Sequence, residues 1–542
     1  MSLVFCAVAF LAAAPVAAYL IEWIGWGIAP LVALAAAIVA SATTFILMDR
    51  SAHSDRSEIA CATLLVAAML AWLLWLAWPS WLPIGSGPDL VHHLALIDYI
   101  EHFGRLPHDP QLAAALGEMA NYTPGVHLLA ALAGGWTGTD GFHTVYVIVA
   151  FTVAIKAACM FLIARRLMPG GEPKSLLAIT AVLLLFAPRH YFLGSFTEAS
   201  YLPQVVSEMF AIALWLAIVV WSAEPSAYAA CVIGVCAAAA FLTWPVALGP
   251  AIVLAWLVIA CRFELSIAER LRHVVIATLP AAVIAAIHAR GRSGAAAIVA
   301  GAGYVEYPQV ELFRWWFLVP AAAGLALAVF DRRSRSIALF AAAIALQMAA
   351  LYVLARRAGA ARPYQALKTV YLAIYPLAVA GSLALARSVA LAAGAMRKAS
   401  KTAASALAPA LVGIIAIAAA RTAQQLPRRP PPVSEPLFEA GVWARTNLRP
   451  ECVDYVVDDP YTAYWLHIAV LRNARAAPRS TDDDTYVTEK EQVRWVQPQG
   501  LPYAIVSDFD GLPRDIRLNV DIVRRFGRAA VIKRRGPASC AP

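Results

Sequence analysis

Charged side chains are scarce in this chain: Asp, Glu, Lys and Arg together make up 14% of its 542 residues, whereas soluble domains carry about 25%. Hydrophobic residues make up 61%, and the mean hydropathy is +0.67. The apolar blocks also lack the alternation of polar and apolar residues that membrane-spanning β-strands have. Because only helices and closed barrels satisfy their backbone polar groups in lipid, the composition excludes a soluble globular enzyme and predicts an all-α polytopic membrane protein.

Metal-binding cysteine pairs are also missing, since none of the 8 cysteines forms a Cys-x-x-Cys motif. Most of the cysteines lie in or beside apolar blocks, where cysteine behaves as a small hydrophobic residue. Cys452 and Cys540 lie in the polar C-terminal part and could pair if that part is outside the cell, a point that the sequence leaves open. No nucleic-acid-binding motif accompanies the net charge of +9, so we expect no nucleic-acid partner.

About thirteen apolar blocks approach the length of a membrane-spanning helix, which is about 20 residues. No basic residue precedes the first block, unlike in a cleaved signal peptide, so we expect the first helix to be retained. The blocks cover residues 3–20, 28–48, 59–78, 142–164, 175–188, 205–222, 226–243, 245–261, 273–289, 314–331, 336–355, 365–386 and 404–420.

Basic residues gather in alternate loops between these blocks, which predicts the orientation of the chain. Five loops of the same parity carry Arg50 and Arg56; Arg165, Arg166 and Lys174; Arg262, Arg270 and Arg272; Arg332, Arg333 and Arg335; and Arg387, Arg397, Lys398 and Lys401. The positive-inside rule places these loops in the cytoplasm and the loop 79–123 outside. Segment 124–137 would reverse this parity if it crossed the bilayer, so we predict a re-entrant or interfacial helix there.

The composition changes after residue 425, where Arg428-Arg429-Pro430-Pro431-Pro432 forms a stiff linker. Residues 433–542 are polar and contain short β-like runs at Val453–Val457, Tyr503–Val506 and Ala529–Ile532, with helical patterns around 435–447 and 460–473 between them. We therefore predict two domains: a transmembrane domain over residues 1–425, with its outer loop at 79–137, and a small extracytoplasmic α/β domain over 433–542.

Three outer segments hold the polar side chains that could carry chemistry. In the first loop, Asp89 precedes an amphipathic helical pattern, so it is either an N-cap or a functional acid. His92 and His93 follow it, too few for a metal site by themselves, so no metal ligands are assigned and a divalent ion lacks support from the spacing. The second segment contains Arg189, His190, Tyr191, Glu198 and Gln204, which suit either a sugar site or an interfacial aromatic belt.

The third segment contains Arg356, Arg357, Arg362, Tyr364 and Lys368, with four cations on the predicted outer side. Cations at this position run against the positive-inside bias and favour phosphate recognition, although a lipid-headgroup contact is the alternative. Lys368 lies just inside an apolar helix, where a charge is costly and usually functional.

Three runs of residues carry a resemblance to a known family. They are Pro88-Asp89…His93…Ile97…Tyr99, Gly104-Arg105-Leu106-Pro107 and Asn121-Tyr122-Thr123-Pro124-Gly125-Val126-His127-Leu128-Leu129. In these runs and in its layout, the chain resembles bacterial polyprenyl-phosphate-dependent glycosyltransferases of the GT-C superfamily. The elements Glu198…Pro203-Gln204 and Tyr364…Lys368 also resemble that family.

The resemblance implies a glycosyltransferase of the bacterial inner membrane that moves a hexosyl or pentosyl group from a polyprenyl-phosphate donor to a glycan, lipid or protein acceptor. Asp89 then acts as the base of an inverting displacement, and Glu198 is the next candidate. Several relatives carry paired acids here, whereas Leu90 follows Asp89 and Asp98 falls elsewhere on the helix.

Substrate contacts are then expected from a larger set of outer residues. They are His92, His93, Arg189, His190, Tyr191, Gln204, Arg356, Arg357, Arg362, Tyr364 and Lys368. Two other functions remain open at this stage: a transporter or flippase of lipid-linked glycans, and a glycan ligase or polymerase that uses lipid pyrophosphate donors.

Overall fold

The computed structural model describes residues 1–51, 55–85, 87–108, 116–169, 173–291, 305, 307–360, 362–397, 400–426, 428, 430–457, 459–473, 501–536 and 540. Their N-terminal part is helical throughout. Its helices are α1 (Ser2–Trp23), α2 (Pro30–Ser51), α3 (Arg56–Ala77), α4 (Pro88–Phe103), α5 (Gly125–Thr137), α6 (Gly141–Leu167), α7 (Lys174–Ala178), α8 (Thr180–Leu184), α9 (Leu202–Ala223), α10 (Ala227–Thr243), α11 (Pro245–Ala260), α12 (Ile267–Gly291), α13 (Trp315–Phe330), α14 (Arg335–Arg357), α15 (Tyr364–Met396) and α16 (Lys401–Ala423).

Within the described residues, 9 helices are long and apolar enough to cross a bilayer. They are α1, α2, α3, α6, α9, α12, α14, α15 and α16. Four shorter apolar stretches of 10–17 residues, 174–184, α10, α11 and α13, coincide with the remaining predicted blocks. The prediction of a polytopic helical membrane protein is therefore confirmed, with one local difference: the block at 175–188 forms two short helices that meet at Ile179.

Local sequence explains where several helices begin. Asp140 precedes α6, and its carboxylate accepts a hydrogen bond of 3.0 Å from the backbone N–H of His143. Trp244 is extended between α10 and α11, and Pro245 starts α11, since proline lacks the N–H that the first helical turn leaves unpaired. Charge and proline chemistry thus set the boundaries that apolar periodicity alone leaves uncertain.

Three helices form the centre of the membrane part. In the most apolar stretches of α6, α9 and α15, 83%, 89% and 83% of the residues are buried. In α2, α3 and α14 the corresponding shares are 17%, 22% and 22%, so these helices present apolar side chains outward. A helix that is apolar all round is expected at the centre of such a bundle or against lipid.

The C-terminal part forms a small α/β unit. It contains α17 (Glu435–Asn447), β1 (Val453–Val456), α18 (Pro460–Trp465), β2 (Tyr503–Val506), β3 (Val520–Phe526) and β4 (Ala529–Arg534). The strands form one sheet in the order β1-β2-β4-β3, with β1 and β2 parallel and the other pairs antiparallel. Cys452 and Cys540 form a disulfide that ties the start of β1 to the end of the chain.

This α/β unit packs on the helices through aromatic side chains. The ring of Phe142 at the start of α6 lies 5.3 Å from that of Phe438 and 5.4 Å from that of Trp465, measured between centroids. Buried residues of both parts belong to one continuous hydrophobic core. The unit is therefore firmly docked on the membrane part beside α4 and α6.

Basic loops that are far apart in sequence meet at one end of the helical bundle. Arg165 forms ion pairs with Asp55 and Glu58, and Arg166 lies 3.7 Å from Glu58. The Arg333 Nε–H donates a hydrogen bond of 3.1 Å to the Arg166 carbonyl. Three of the predicted cytoplasmic loops therefore share one end of the molecule, whereas the α/β unit docks at the other.

Segment 124–137 forms α5, a helix of 13 residues. This length is below the roughly 20 residues that a crossing requires. Most of its side chains are buried, and Thr123 donates a hydrogen bond of 3.0 Å to the Thr243 carbonyl at the break before α11. The prediction of a re-entrant or interfacial helix is compatible with this length and burial, and it stays a prediction.

Candidate active site

The first outer loop lies directly against the segment that precedes α9. A Cβ atom added to Gly85 would lie 1.7 Å from the Ser200 Oγ, and one added to Gly87 would lie 2.2 Å from the Ala199 carbonyl oxygen. Ser200 has a φ of 54°, which is a strained conformation for a residue with a side chain. Only glycine fits at both loop positions. These two glycines therefore allow the segment before α4 to pack directly against residues 199 and 200, next to Glu198.

Asp89 occupies the first turn of α4, which has Gly87 at the cap position and Pro88 as its first residue. The alternative that Asp89 is the N-cap is therefore wrong, because the Gly-Pro pair starts the helix earlier. At this position, the unpaired backbone N–H groups of the first turn stabilise a carboxylate. The Asp89 carboxylate is thus held at the outer end of the bundle without serving as the cap.

Two tyrosines lie within electrostatic reach of Asp89. Burial, together with the Asp89 charge, raises the pKa of Tyr201 to about 12. Burial, Tyr464 and Asp89 also raise the pKa of Tyr461, whose O–H donates a hydrogen bond of 2.8 Å to the Gly87 carbonyl. Both hydroxyls stay protonated at neutral pH, so two neutral side chains from separate segments lie within electrostatic reach of Asp89.

His92 and His93 are buried, at 5% and 3% exposure, so they are not surface histidines. The Nε2 atom of His92 lies 2.7 Å from the hydroxyl of Tyr464 in α18. The Nδ1 atom of His93 lies 3.0 Å from the Nε2 atom of His127 in α5. Burial, Lys368 and His92 lower the pKa of His93 to about 3, so its ring is neutral at physiological pH.

Lys368 approaches the same place from α15. It is 7% exposed, and its Nζ atom lies 4.0 Å from the ring centroid of Tyr201 and 4.5 Å from that of Tyr364. Tyr201 lies within electrostatic reach of Asp89, and His93 lies within electrostatic reach of Lys368, so the charges of Asp89 and Lys368 act on the same region of the structure. We call Asp89, His93, Tyr201, Lys368 and Tyr461 the Asp89 cluster.

The aromatic side chains of segment 189–204 pack along α15 next to the Asp89 cluster. The His190 Nε2 atom lies 3.3 Å from the Tyr371 hydroxyl, and the buried Tyr191 ring stacks on Phe313 at 4.8 Å. Arg189 is half-buried at the same turn. A sugar ring binds well to such aromatic faces combined with polar groups, and the structure brings these predicted residues beside the Asp89 cluster.

Glu198 and Gln204 have different surroundings. Glu198 is half-buried, and its Oε2 atom would lie 3.0 Å from a Cβ added to Gly194. Gln204 is 2% exposed and donates a hydrogen bond of 3.0 Å to Glu208 inside α9. Glu198 therefore stays near the loop of Gly85, whereas Gln204 is turned toward the interior.

The three arginines of the third outer segment are exposed, in contrast to Lys368. Arg356 and Arg357 end α14, and Arg362 lies two residues before Tyr364. The Arg356 guanidinium donates a hydrogen bond of 3.4 Å to the Ala360 carbonyl. Their roles as phosphate contacts stay predictions, supported by their position on the loop that leads to Lys368.

A buried charged network lies below the cluster and was missed by sequence reasoning. The Lys156 ammonium in α6 donates hydrogen bonds of 2.8 Å to Glu208 and 2.7 Å to the Tyr375 hydroxyl. Tyr375 and Gln204 also donate to Glu208, at 2.5 and 3.0 Å. The spacing of Tyr364, Lys368, Tyr371 and Tyr375 on one face of α15 is a signal that could have found this polar stripe.

The α/β unit closes the site from outside. Asp98, two turns along α4 from Asp89, accepts hydrogen bonds from the guanidinium groups of Arg445, at 2.9 Å, and Arg472. The expectation that Asp98 lies apart from Asp89 is correct. Together with Tyr461 and Tyr464, these contacts make the C-terminal unit part of the wall of the site.

Among the residues that the structure describes, no group of three His, Cys, Asp or Glu side chains is arranged to hold a metal ion. The site instead combines one first-turn carboxylate, the neutral imidazole of His93, tyrosine hydroxyls and one buried ammonium. Such a set can accept a proton, donate hydrogen bonds to hydroxyl groups and stabilise a phosphate.

Comparison with known proteins supports the fold. No family model matches the chain, and no curated protein sequence does. The archaeal oligosaccharyltransferase AglB from Archaeoglobus fulgidus, in complex with an inhibitory peptide and a dolichol-phosphate, is similar with a TM-score of 0.50 and 12% identity over 83% of this chain and 69% of that one. The same enzyme in the apo form gives a TM-score of 0.50 and 14% identity over the same shares.

A third similar structure is ArnT from Cupriavidus metallidurans in the apo state, with a TM-score of 0.45 and 14% identity over 87% of this chain and 97% of that one. At these identities the likeness concerns the fold alone. The resemblance to the GT-C superfamily drawn from the sequence is confirmed at that level: the chain has a GT-C fold.

Proposed function

We propose that the chain is a glycosyltransferase that takes a sugar from a polyprenyl-phosphate donor and passes it to an acceptor hydroxyl or amide at the outer face of the membrane. The observation that carries this proposal is the Asp89 cluster, in which a buried ammonium packs over the ring of Tyr201 and a carboxylate lies within electrostatic reach of the same tyrosine. A base for the acceptor and a cation for the departing phosphate are the two groups that the reaction needs.

The reaction follows from these positions. Asp89 takes the proton of the acceptor group as its nucleophilic atom attacks the anomeric carbon. The bond from that carbon to the phosphate oxygen breaks, and the polyprenyl phosphate leaves with the electron pair. Lys368 stabilises the added negative charge on the phosphate, and a single displacement of this kind inverts the anomeric configuration.

Asp89 is a better candidate for the base than Glu198. Asp89 lies in the first turn of α4, within electrostatic reach of Tyr201 and Tyr461. Lys368 packs over the ring of the same Tyr201, and among the predicted substrate contacts that the structure describes it is the one buried cation. Glu198 lies on the neighbouring segment, close to Gly194. Glu198 is therefore the second candidate, and His190, Tyr191 and Arg189 are suited to line the sugar site.

The lipid part of the donor is inferred from charge, fold and location. Lys368 lies where an outer loop enters an apolar helix, so a phosphate there has its hydrocarbon chain beside the bilayer. AglB, which has this fold, is known in complex with a dolichol-phosphate. The arginines at 356, 357 and 362 would add phosphate contacts, and the acceptor is a glycan, a lipid or a protein.

We assign the site and the α/β unit to the outside of a bacterial inner membrane. The clustering of basic loops at the opposite end supports this orientation through the positive-inside rule. The disulfide between Cys452 and Cys540 supports it as well, because disulfides persist in oxidising compartments.

The proposal is tested with the purified full chain in nanodiscs and a panel of radiolabelled lipid-linked hexoses and pentoses. We expect Asp89→Asn to lower the release of polyprenyl phosphate by about 10²- to 10⁴-fold, which is the usual contribution of a general base. Glu198→Gln is the matched control and should lower it far less, with thermal unfolding unchanged in both variants.

Equal turnover of Asp89→Asn and the wild type would contradict the role of Asp89, and loss only in Glu198→Gln would move the base to that residue. Transport of a lipid-linked glycan across vesicles by wild type and Asp89→Asn alike, without release of polyprenyl phosphate, would favour a flippase instead. Release of polyprenyl pyrophosphate would indicate a ligase or polymerase.

A further inference from the structure

A cavity of about 840 Å³ lies between α7, α15 and α16. It is far from the Asp89 cluster, because α15 runs from Tyr364 at the cluster to Arg397 at the cavity. The helix forms the cavity wall between Ala386 and Arg397, so at about 1.5 Å per residue this wall lies roughly 33 to 50 Å along the helix from Tyr364. The cavity is therefore at the end where the basic loops gather, and its size is typical of ligand-binding pockets, which are about 300–1,000 Å³.

The lining of this cavity is amphiphilic. Lys174, Arg397, Lys401 and Ser405 supply its polar groups, and no acidic residue is among the described residues that line it. The remaining walls are small apolar side chains from α15 and α16 together with Leu177 and prolines of the loop before α7. Three cations at the edge of an apolar cavity favour the binding of an amphiphile that has an anionic headgroup and a hydrocarbon chain.

Further positive charge surrounds the mouth of the cavity. Lys174 is within electrostatic reach of Arg333, Arg165, Arg166 and Glu58. Asp55 also pairs with Arg165, and Asp331 pairs with Arg387. Glu58 is already engaged by both Arg165 and Arg166. The cations around the cavity are thus in excess, and their mutual repulsion is relieved when an anion binds between them.

We propose that this cavity binds the phosphate of an anionic phospholipid, with Lys174, Arg397 and Lys401 around the headgroup and the acyl chains along the alanine-rich walls. Basic pockets between transmembrane helices on the cytoplasmic side suit such headgroups. The bound lipid joins α7, α15 and α16, so it stabilises the folded chain in proportion to its occupancy. This site is separate from the donor site and does not depend on the proposed activity.

The test uses the full chain in a neutral detergent and three probes: dioctanoyl phosphatidylglycerol, dioctanoyl phosphatidylcholine and inorganic phosphate. Thermal unfolding is followed by tryptophan fluorescence while each probe is titrated. We expect the phosphatidylglycerol alone to raise the Tm with saturation. The triple variant Lys174→Gln/Arg397→Gln/Lys401→Gln should bind it about 100-fold more weakly, because each basic residue beside an anionic headgroup contributes about fivefold in affinity and the three factors multiply.

A matched triple variant, Arg56→Gln/Arg262→Gln/Arg272→Gln, removes the same charge from other basic loops and should keep the wild-type affinity. Ala393→Phe narrows the cavity without changing charge and should also abolish the Tm rise, which covers the case in which the first variant does not fold. The proposal is overturned if phosphatidylcholine stabilises equally, if both triple variants weaken binding alike, or if inorganic phosphate alone reproduces the effect.

Discussion

Lys156 and Glu208 are the charges whose removal has the most predictable cost. Both side chains are 0% exposed, and they bridge α6 and α9 in the centre of the membrane part. Glu208 accepts hydrogen bonds from Lys156, Tyr375 and Gln204, whereas Lys156 donates to Glu208 and Tyr375. The perturbations are Lys156→Met, Glu208→Leu and the double variant.

The magnitudes follow from what each substitution leaves behind. Removing one partner of a buried ion pair typically costs about 3–5 kcal/mol, because the other charge stays buried and unpaired. Lys156→Met leaves Glu208 with two donors, whereas Glu208→Leu leaves Lys156 with one hydroxyl. We therefore expect Glu208→Leu to cost about 1 kcal/mol more than Lys156→Met, which is the worth of one further hydrogen bond.

The double variant replaces the pair by two apolar side chains of similar length. Such replacements are often neutral or stabilising, so we expect it to be much closer to the wild type than either single variant. Unfolding of the purified chain in mixed micelles, measured for the four proteins, gives the coupling energy of the pair. Arg262→Gln/Glu264→Gln, at an exposed pair, is the control and should change little.

Two outcomes would refute this reasoning. Single variants as stable as the wild type would mean that the two charges are solvated rather than buried against each other. A double variant whose loss equals the sum of the single losses would mean that Lys156 and Glu208 stabilise the fold through separate neighbours.

Two predictions concern the outer site. Lys368→Met should lower kcat for polyprenyl phosphate release by about 10²- to 10³-fold, as the loss of one stabilising donor does. The control Arg357→Gln, at an exposed arginine, should lower kcat much less. Equal effects of the two substitutions would contradict the special role of Lys368. Burial and the Asp140 charge raise the pKa of Glu101 from 4.5 to about 8. Between these two pH values the folded chain keeps a proton on Glu101 that the unfolded chain releases. The free energy of unfolding therefore falls as the pH rises from about 4.5 to 8. Glu101→Gln should therefore raise the Tm by about 2 °C at pH 8.5 and change it little at pH 5, and an identical pH profile in both proteins would refute this.

Much of the fold could be predicted from the sequence because the membrane imposes length and apolarity on each helix. The predicted strands near Val453, Tyr503 and Ala529 were also found. β3 was missed, since five of its seven residues are exposed and its sequence Val-Asp-Ile-Val-Arg-Arg-Phe lacks a regular apolar face. It is an edge strand, paired on one side with β4 alone, and charged residues are common on such strands.

The site could be predicted only where a polar residue stood out from its own surroundings. Asp89 and Lys368 did so, because each interrupts an apolar or glycine-rich segment. Tyr461 and Tyr464 could not be found, since they contact α4 from more than 370 residues away. Lys156 and Glu208 were overlooked because each is one charge in a long apolar helix, and only the packing of α6 against α9 makes them a pair.

The two aspartates of α4, Asp89 and Asp98, differ in function because their neighbours differ. Asp98 accepts hydrogen bonds from Arg445 and Arg472, so its oxygens are occupied and it holds the α/β unit in place. Asp89 lies in the first turn of the helix and within electrostatic reach of two protonated tyrosines, so we expect its carboxylate to be available to an incoming acceptor. The two acids of this helix are thus separated along its length: the acid with no arginine partner among the described residues is the proposed base, and the acid with two arginine partners fastens the α/β unit at the wall of the site.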